Sequence, residues 1–289
     1  MRKYSIFIVT FGMIWALVLV AVAILTGTLS FLGVKITAPV VVADVVGSFV
    51  ISLIVFFALG KKEKNNPIGS INTQLKKEMR ENGMSDHFFE LAEQGIALYD
   101  GTPHDFVYFK DFVMFGAEGY IQRDQYDKAL KYLNMIDMEQ IKSKDTAFFD
   151  SGFSLVSFFD VQMSYCVATK DIGRAERVMR DAEQFITGFR GKDDSVNLIT
   201  DDFYCMYCYL IQDYSGALQH AQSIMNNNCH TKGRLVVGQL NLALIYNKTG
   251  DTAQRDYYMN DALKIIEKSG NPVSKQSYEY CKKVMARGD

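Results

Sequence analysis

Cys205-x2-Cys208, followed by Cys229-His230, is the pattern in this chain that comes nearest to a chemical site. A zinc site needs four converging ligands, and a Cys-x2-Cys pair that serves one sits on a turn. Here the pair falls in a helical pattern, where a free cysteine behaves as a small hydrophobe, so the spacing reads as core packing. His87, His104, His220 and His230 are scattered and read as surface or capping residues. Asp193-Asp194 and Asp201-Asp202 flank a stretch, 188–200, that reads as a loop. Paired acids in that setting solvate the loop and cap the next helix. Gly116-Ala117-Glu118-Gly119 is too short for a phosphate loop, and no Gly-x-Ser-x-Gly elbow occurs. With no catalytic constellation, the chain reads as a non-enzyme that needs no cofactor and no metal. A formal charge of −2 argues against a dedicated nucleic-acid binder, which is basic. Five cysteines in 289 residues do not make a disulfide scaffold.

The elements that would position such residues divide the chain in two. Residues 1–60 carry only Arg2, Lys3, Lys35 and Asp44 as charged side chains, whereas the remainder holds 28 basic and 32 acidic groups. Two apolar runs each reach the roughly 20 residues that a bilayer core requires of a helix. They predict transmembrane helices at about 5–26 and 38–60, with a linker over 61–70 and a helical domain over 71–289. A cleaved signal peptide is the rival for the first run, but that run exceeds an h-region of about 7–15 residues and a second run follows at once. Lys61, Lys62 and Lys64 after the second span, and Arg2 and Lys3 before the first, place both termini and residues 61–289 in the cytoplasm. The plain lysine-bounded spans suggest a bacterial inner membrane. Asp44 would then be an intramembrane ionisable group, either functional or hydrated near the interface.

All four prolines, Pro39, Pro67, Pro103 and Pro272, fall at boundaries, which leaves a long proline-free stretch suited to helices. Within it a pattern recurs: a polar turn, an aromatic or β-branched residue (Tyr126, Ile172, Tyr214, Thr252), then a new amphipathic helix. Before each turn an apolar helix ends in Tyr120, Cys166, Cys208 or Tyr246. Small or packing residues sit at matching places: Ala117, Ala129, Leu133 and Ile136; Met163, Ala175, Met179 and Ala182; Cys205, Ala217, Ala221 and Ile224; Ala243, Arg255, Met259 and Ala262.

These residues resemble the tetratricopeptide repeat over about 105–270. Arg255 and Met163 depart from the family's small residues, the closing proline is missing, and successive copies are longer than the family's. The resemblance implies an all-α solenoid of antiparallel helix pairs, with helices at about 70–81, 85–100 and 273–286 as caps. It also implies a ligand face along the first helix of each pair. Carried over residue by residue, that face comprises Asp111, Met114, Glu118 and Ile121; Ser157, Asp160, Ser164 and Val167; Ile199, Asp202, Met206 and Tyr209; and Val237, Leu240, Leu244 and Asn247. The expected partner-binding set is Asp111, Met114, Glu118, Asp160, Asp202, Met206 and Tyr209, facing a basic or amphipathic helical segment of a protein. The alternative is that the acids only keep an open face solvated. The aromatic run Phe148-Phe149, Phe153, Phe158-Phe159 reads as core, or as a contact surface where exposed. The expected function is a membrane-anchored interaction scaffold, with a lipid bilayer and a protein as partners. The alternative is an accessory or regulatory subunit of a larger membrane complex, docked through residues 1–60.

Overall fold

The computed structural model describes residues 66–137, 153–189, 191, 193–227 and 231–287. Among them are eleven helices and no strand: α1 (Pro67–Asn82), α2 (Asp86–Ala97), α3 (Pro103–Gln122), α4 (Tyr126–Leu133), α5 (Phe153–Thr169), α6 (Ile172–Phe189), α7 (Asp194–Leu210), α8 (Tyr214–Asn226), α9 (Lys232–Thr249), α10 (Thr252–Ser269) and α11 (Pro272–Ala286). The all-α expectation holds for this region. No described helix is long and apolar enough to cross a membrane. The reading of an integral membrane protein with cytoplasmic termini is corrected by that finding and is not carried forward. The two runs on which it rested, with Asp44, lie outside the described residues. The lipid partner and the membrane-subunit alternative rest on the same runs, outside the described residues.

Eight of the described helices start where a side chain satisfies a free N–H group, whereas Gln125 before α4 makes no such bond. Ser85, Thr102, Asp213, Thr231, Asp251 and Asn271 all accept from a backbone N–H three residues on, and Asp171 does the same for Arg174 at 2.9 Å. Pro67 opens α1, so the helix already occupies 67–70, which the sequence assigned to a linker. Asp193 caps α7 through the Ser195 N–H at 2.8 Å. That cap starts the helix inside the expected 188–200 loop and puts Asp201 and Asp202 mid-helix, not at a loop edge.

Four helix pairs are joined by the same turn. Asp124, Lys170, Gln212 and Gly250 all adopt positive φ, between 57° and 82°. Each lies four residues after Tyr120, Cys166, Cys208 or Tyr246. In three of the turns the next N–H returns to that residue's carbonyl, at 2.9 Å (Gln125 to Tyr120), 3.0 Å (Asp171 to Cys166) and 2.9 Å (Asp213 to Cys208). This six-to-one bond is the Schellman closure of a helix end, and it reverses the chain within two or three residues.

The pairs stack so that α3, α5, α7, α9 and α11 each touch the next in that order, while α4, α6, α8 and α10 lie outside them. The inner helices are apolar on most of their circumference. Val156, Phe159, Met163 and Cys166 of α5 are all fully buried, as a helix packed on several sides must be. Buried residues of each pair belong to shared clusters: Ala117 and Ala129, Met163 with Ala175 and Ala182, Cys205 with Ala217 and Ala221, and Ala243 with Ala262. Arg255, by contrast, is turned outward to Asp256 and Asn247.

The array then closes on itself. α11 packs on α9 and α10 at one side and on α1 and α3 at the other. Gln276 accepts the Met84 N–H at 2.8 Å, and Gln122 donates to Ser277 Oγ at 3.3 Å. The Arg287 guanidinium grips Asp124 with bonds of 2.9 and 2.7 Å, joined by Lys283 and by the Tyr126 hydroxyl at 3.0 Å. An end cap was expected at 273–286; the helix there is the segment that seals a ring.

Arg287, then burial working against it, then Lys283 and Tyr126, set the Asp124 carboxyl, and together they hold it well below the ordinary carboxylate range. Its contribution to stability is therefore complete above about pH 4 and is lost as pH falls through that range toward the depressed value. Asp124→Asn is expected to cost about 1 kcal/mol at pH 7, because the cations it binds are partly solvated. It should cost progressively less on acidification. Urea unfolding at several pH values checks this; a wild-type midpoint for the variant at pH 7 would show that other contacts close the ring.

Candidate functional site

The five inner helices line a cavity of about 880 Å³ that is partly open to solvent. Each contributes one stripe at helical spacing. α3 supplies Asp111, Met114, Glu118 and Ile121, and α5 supplies Ser157, Asp160, Ser164 and Val167. α7 adds Asp202, Met206 and Tyr209, and α9 adds Arg234, Val237, Leu240, Asn241 and Leu244. α11 closes the wall with Ser277, Tyr280, Cys281 and Val284. On α5 the lining runs from Phe153 to Ala168, about 22 Å at 1.5 Å rise per residue, so the cavity follows the helix axes.

Asp111, Met114, Glu118, Asp160, Asp202, Met206 and Tyr209, the residues expected to face a partner, are all brought to this wall. Ile199 and Asn247, carried over with them, are not: Ile199 is fully buried in the core, and Asn247 faces Arg255 at 3.4 Å. Several residues of the site were missed from sequence. Arg234 lies one turn before the carried-over stripe of α9, Asn241 lies beside it, and the α11 residues belong to a helix read as a cap.

The acids differ in their surroundings. Asp111, at one end, is already paired with Lys76 at 2.6 Å and accepts from Asn72 at 3.2 Å. Asp202 is 4% exposed and accepts from Asn241 at 2.7 Å and from Arg234 at 3.4 Å. Glu118 and Asp160 keep some accessible area, and that area is cavity wall. Asp160 Oδ1 and Gln122 Oε1 are buried with no hydrogen-bond partner.

Desolvation raises the Glu118 carboxyl; the Arg234 charge opposes this and the Asp202 charge adds to it. Asp160 is pushed well above the ordinary range by burial and by Asp202, against Arg234. Burial raises Asp202 as well, with Arg234 and Asn241 pulling it back. Arg234, whose side chain is 29% exposed, thus acts on all three carboxyls.

Cys205 is buried among Ala217, Ala221, Leu242 and Ile245, and Cys208 is half-buried beside it. Burial pushes the Cys205 thiol well up and the Cys208 thiol up, which suits packing and opposes thiolate chemistry. Cys229 and His230 lie outside the described residues, as do Phe148 and Phe149. Phe158 and Phe159 are core, whereas Phe153 is 40% exposed at the end of the cavity. His220, expected to be isolated, lies 2.9 Å from Asp201 through Nδ1 and stacks on Tyr204, while Ser223 donates to the same carboxylate at 2.6 Å. This triad ties α8 to α7 on the side away from the cavity lining.

Comparison of the chain with family models, with curated proteins and with solved structures returns no match, so the geometry alone speaks for the site.

Proposed function

We propose that the chain is a protein-interaction module. In this reading a tetratricopeptide-like ring of helix pairs takes a short segment of a partner protein into its axial cavity. One observation carries it: residues chosen as a ligand face on three separate helices meet on a single cavity wall. Its volume falls within the range of about 300–1,000 Å³ typical of ligand pockets. Met114 and Met206 supply adaptable apolar surface, suited to a site that grips side chains of varied shape.

The occupant differs from the long helical ligand expected of an open concave face. α11 occupies the side from which such a ligand would enter. A helix with its side chains is about 10–12 Å across, whereas about six residues of extended chain span the 22 Å length. A short extended segment therefore suits the space.

Val237 projects into the cavity from α9. Val237→Trp is expected to fill the space and weaken segment binding about tenfold or more, a change of at least about 1.4 kcal/mol. The check is equilibrium binding of hexapeptides selected on the full-length wild-type protein, alongside circular dichroism to confirm helicity. Unchanged binding by a folded variant would place the interaction elsewhere on the surface.

A further inference from the structure

We infer that the wall formed by Glu118, Asp160 and Asp202 is the seat of one organic cation, a guanidinium or primary ammonium group, carried as a basic side chain on the segment that enters the cavity. This rests on the segment-binding reading above and specifies what that segment must bear.

The first support is charge. The three carboxylates come from α3, α5 and α7 to the cavity lining, where the Asp202 charge acts on both Glu118 and Asp160. Arg234 acts on all three and, among the described residues, its guanidinium donates to Asp202. Lys170, Lys248 and Arg287 stand at the ends of the lining, where Arg287 is held by Asp124. A second cation seated among the acids would restore the balance that Arg234 leaves incomplete.

The second support is hydrogen bonding. Asp160 Oδ1 and Gln122 Oε1, both on residues of the wall, are buried acceptors without a donor. Buried acceptors are almost always satisfied in folded proteins, so each marks a place for a group that donates. A guanidinium offers five N–H donors in a planar fork, and an ammonium offers three. Such charge-assisted bonds are roughly twice as strong as neutral ones.

The third support is shape. Among the described residues no three His, Cys, Asp or Glu side chains stand close enough to hold a metal ion. Val161 and Leu240 flank the acids on the same wall and would cover the aliphatic stem, as apolar surface does for Lys and Arg.

The test uses the full-length protein and a hexapeptide library in which each position is fixed in turn. The expected result is enrichment of Arg or Lys at one position with aliphatic neighbours. Lysine at that position should bind about tenfold or more tightly than norleucine, its uncharged counterpart. Glu118→Gln and Asp160→Asn should shrink that preference for lysine over norleucine to within about twofold. These neutral replacements remove buried charge, so they should fold at least as well as the parent. n-Butylguanidine and n-butylamine, titrated by calorimetry, form the second arm. Enriched peptides with no basic residue, or a basic preference that survives both variants, would overturn the cation seat and leave segment binding to be judged by Val237→Trp. Binding of the free alkyl cations that Asp160→Asn abolishes, without any peptide enrichment, would support the seat and refute the segment. Silence in both arms would sink both.

Discussion

Arg234→Met is expected to destabilise the folded domain by about 3 kcal/mol at pH 7, because removing one partner of a buried charge pair leaves the other uncompensated. Asp202 is nearly inaccessible, and Glu118 and Asp160 feel the same guanidinium. Without it all three carboxyls rise further above their unfolded values near pH 4. An acid whose folded pKa is raised costs nothing below the unfolded pKa, where both states are protonated. The cost then grows as pH climbs through the interval up to the folded pKa. The variant should therefore approach wild-type stability as pH falls toward 4 and diverge as pH rises to neutrality. Thermal and urea unfolding between pH 4 and 8 measure this. A pH-independent deficit would mean that Arg234 acts through packing of its stem, and that the acids are neutralised by something other than this residue.

Gly95→Ala should destabilise by about 1–3 kcal/mol, the usual cost of forcing extra volume into a packed core. In a helix interior alanine is by itself favoured over glycine by about 1 kcal/mol, so the sign of the result is informative. Gly95 is buried on α2, and a Cβ there would overlap the ring of Phe112, which is fully buried on α3. Phe112 faces away from the cavity, so it fixes the spacing between the ring's inner layer and the helices before it. Pairing the change with Phe112→Leu should recover part of the loss, giving a coupling above about 0.5 kcal/mol. A higher urea midpoint for Gly95→Ala would show that the α2–α3 contact is looser than described.

What the sequence made legible was local. The helix pairs could be read because three of the turns carry an aspartate cap, at Asp171, Asp213 and Asp251, and the last has glycine at its left-handed position, Gly250. The lining stripe could be read because it follows helical periodicity. The ring closure could not. Gln276 meets Met84 across 192 residues, and Lys283 and Arg287 meet Asp124 across 159 and 163. No periodicity in α11 distinguishes a helix that seals a ring from one that caps an end. Arg234 was missed for a related reason. A charged residue in the first turn of a helix reads as solvated, and only the closed geometry turns it toward Asp202. The acid pair Asp201-Asp202 misled in the other direction, since its composition resembles a loop edge. The Asp193 cap and the partners His220 and Arg234 hold it in mid-helix instead.

The central claim, that the axial cavity receives the ligand, can be tested by methyl NMR of the full-length protein labelled at its methionines. Met114 and Met206 are the methionines that line the cavity, whereas Met163, Met179, Met225 and Met259 pack elsewhere in the helical layers. On titration with the most strongly enriched basic hexapeptide, the Met114 and Met206 methyl resonances should shift together and saturate with the binding curve, while the other four stay within their linewidths. Shifts confined to Met179, Met225 or Met259, with Met114 and Met206 unmoved at saturation, would contradict the account.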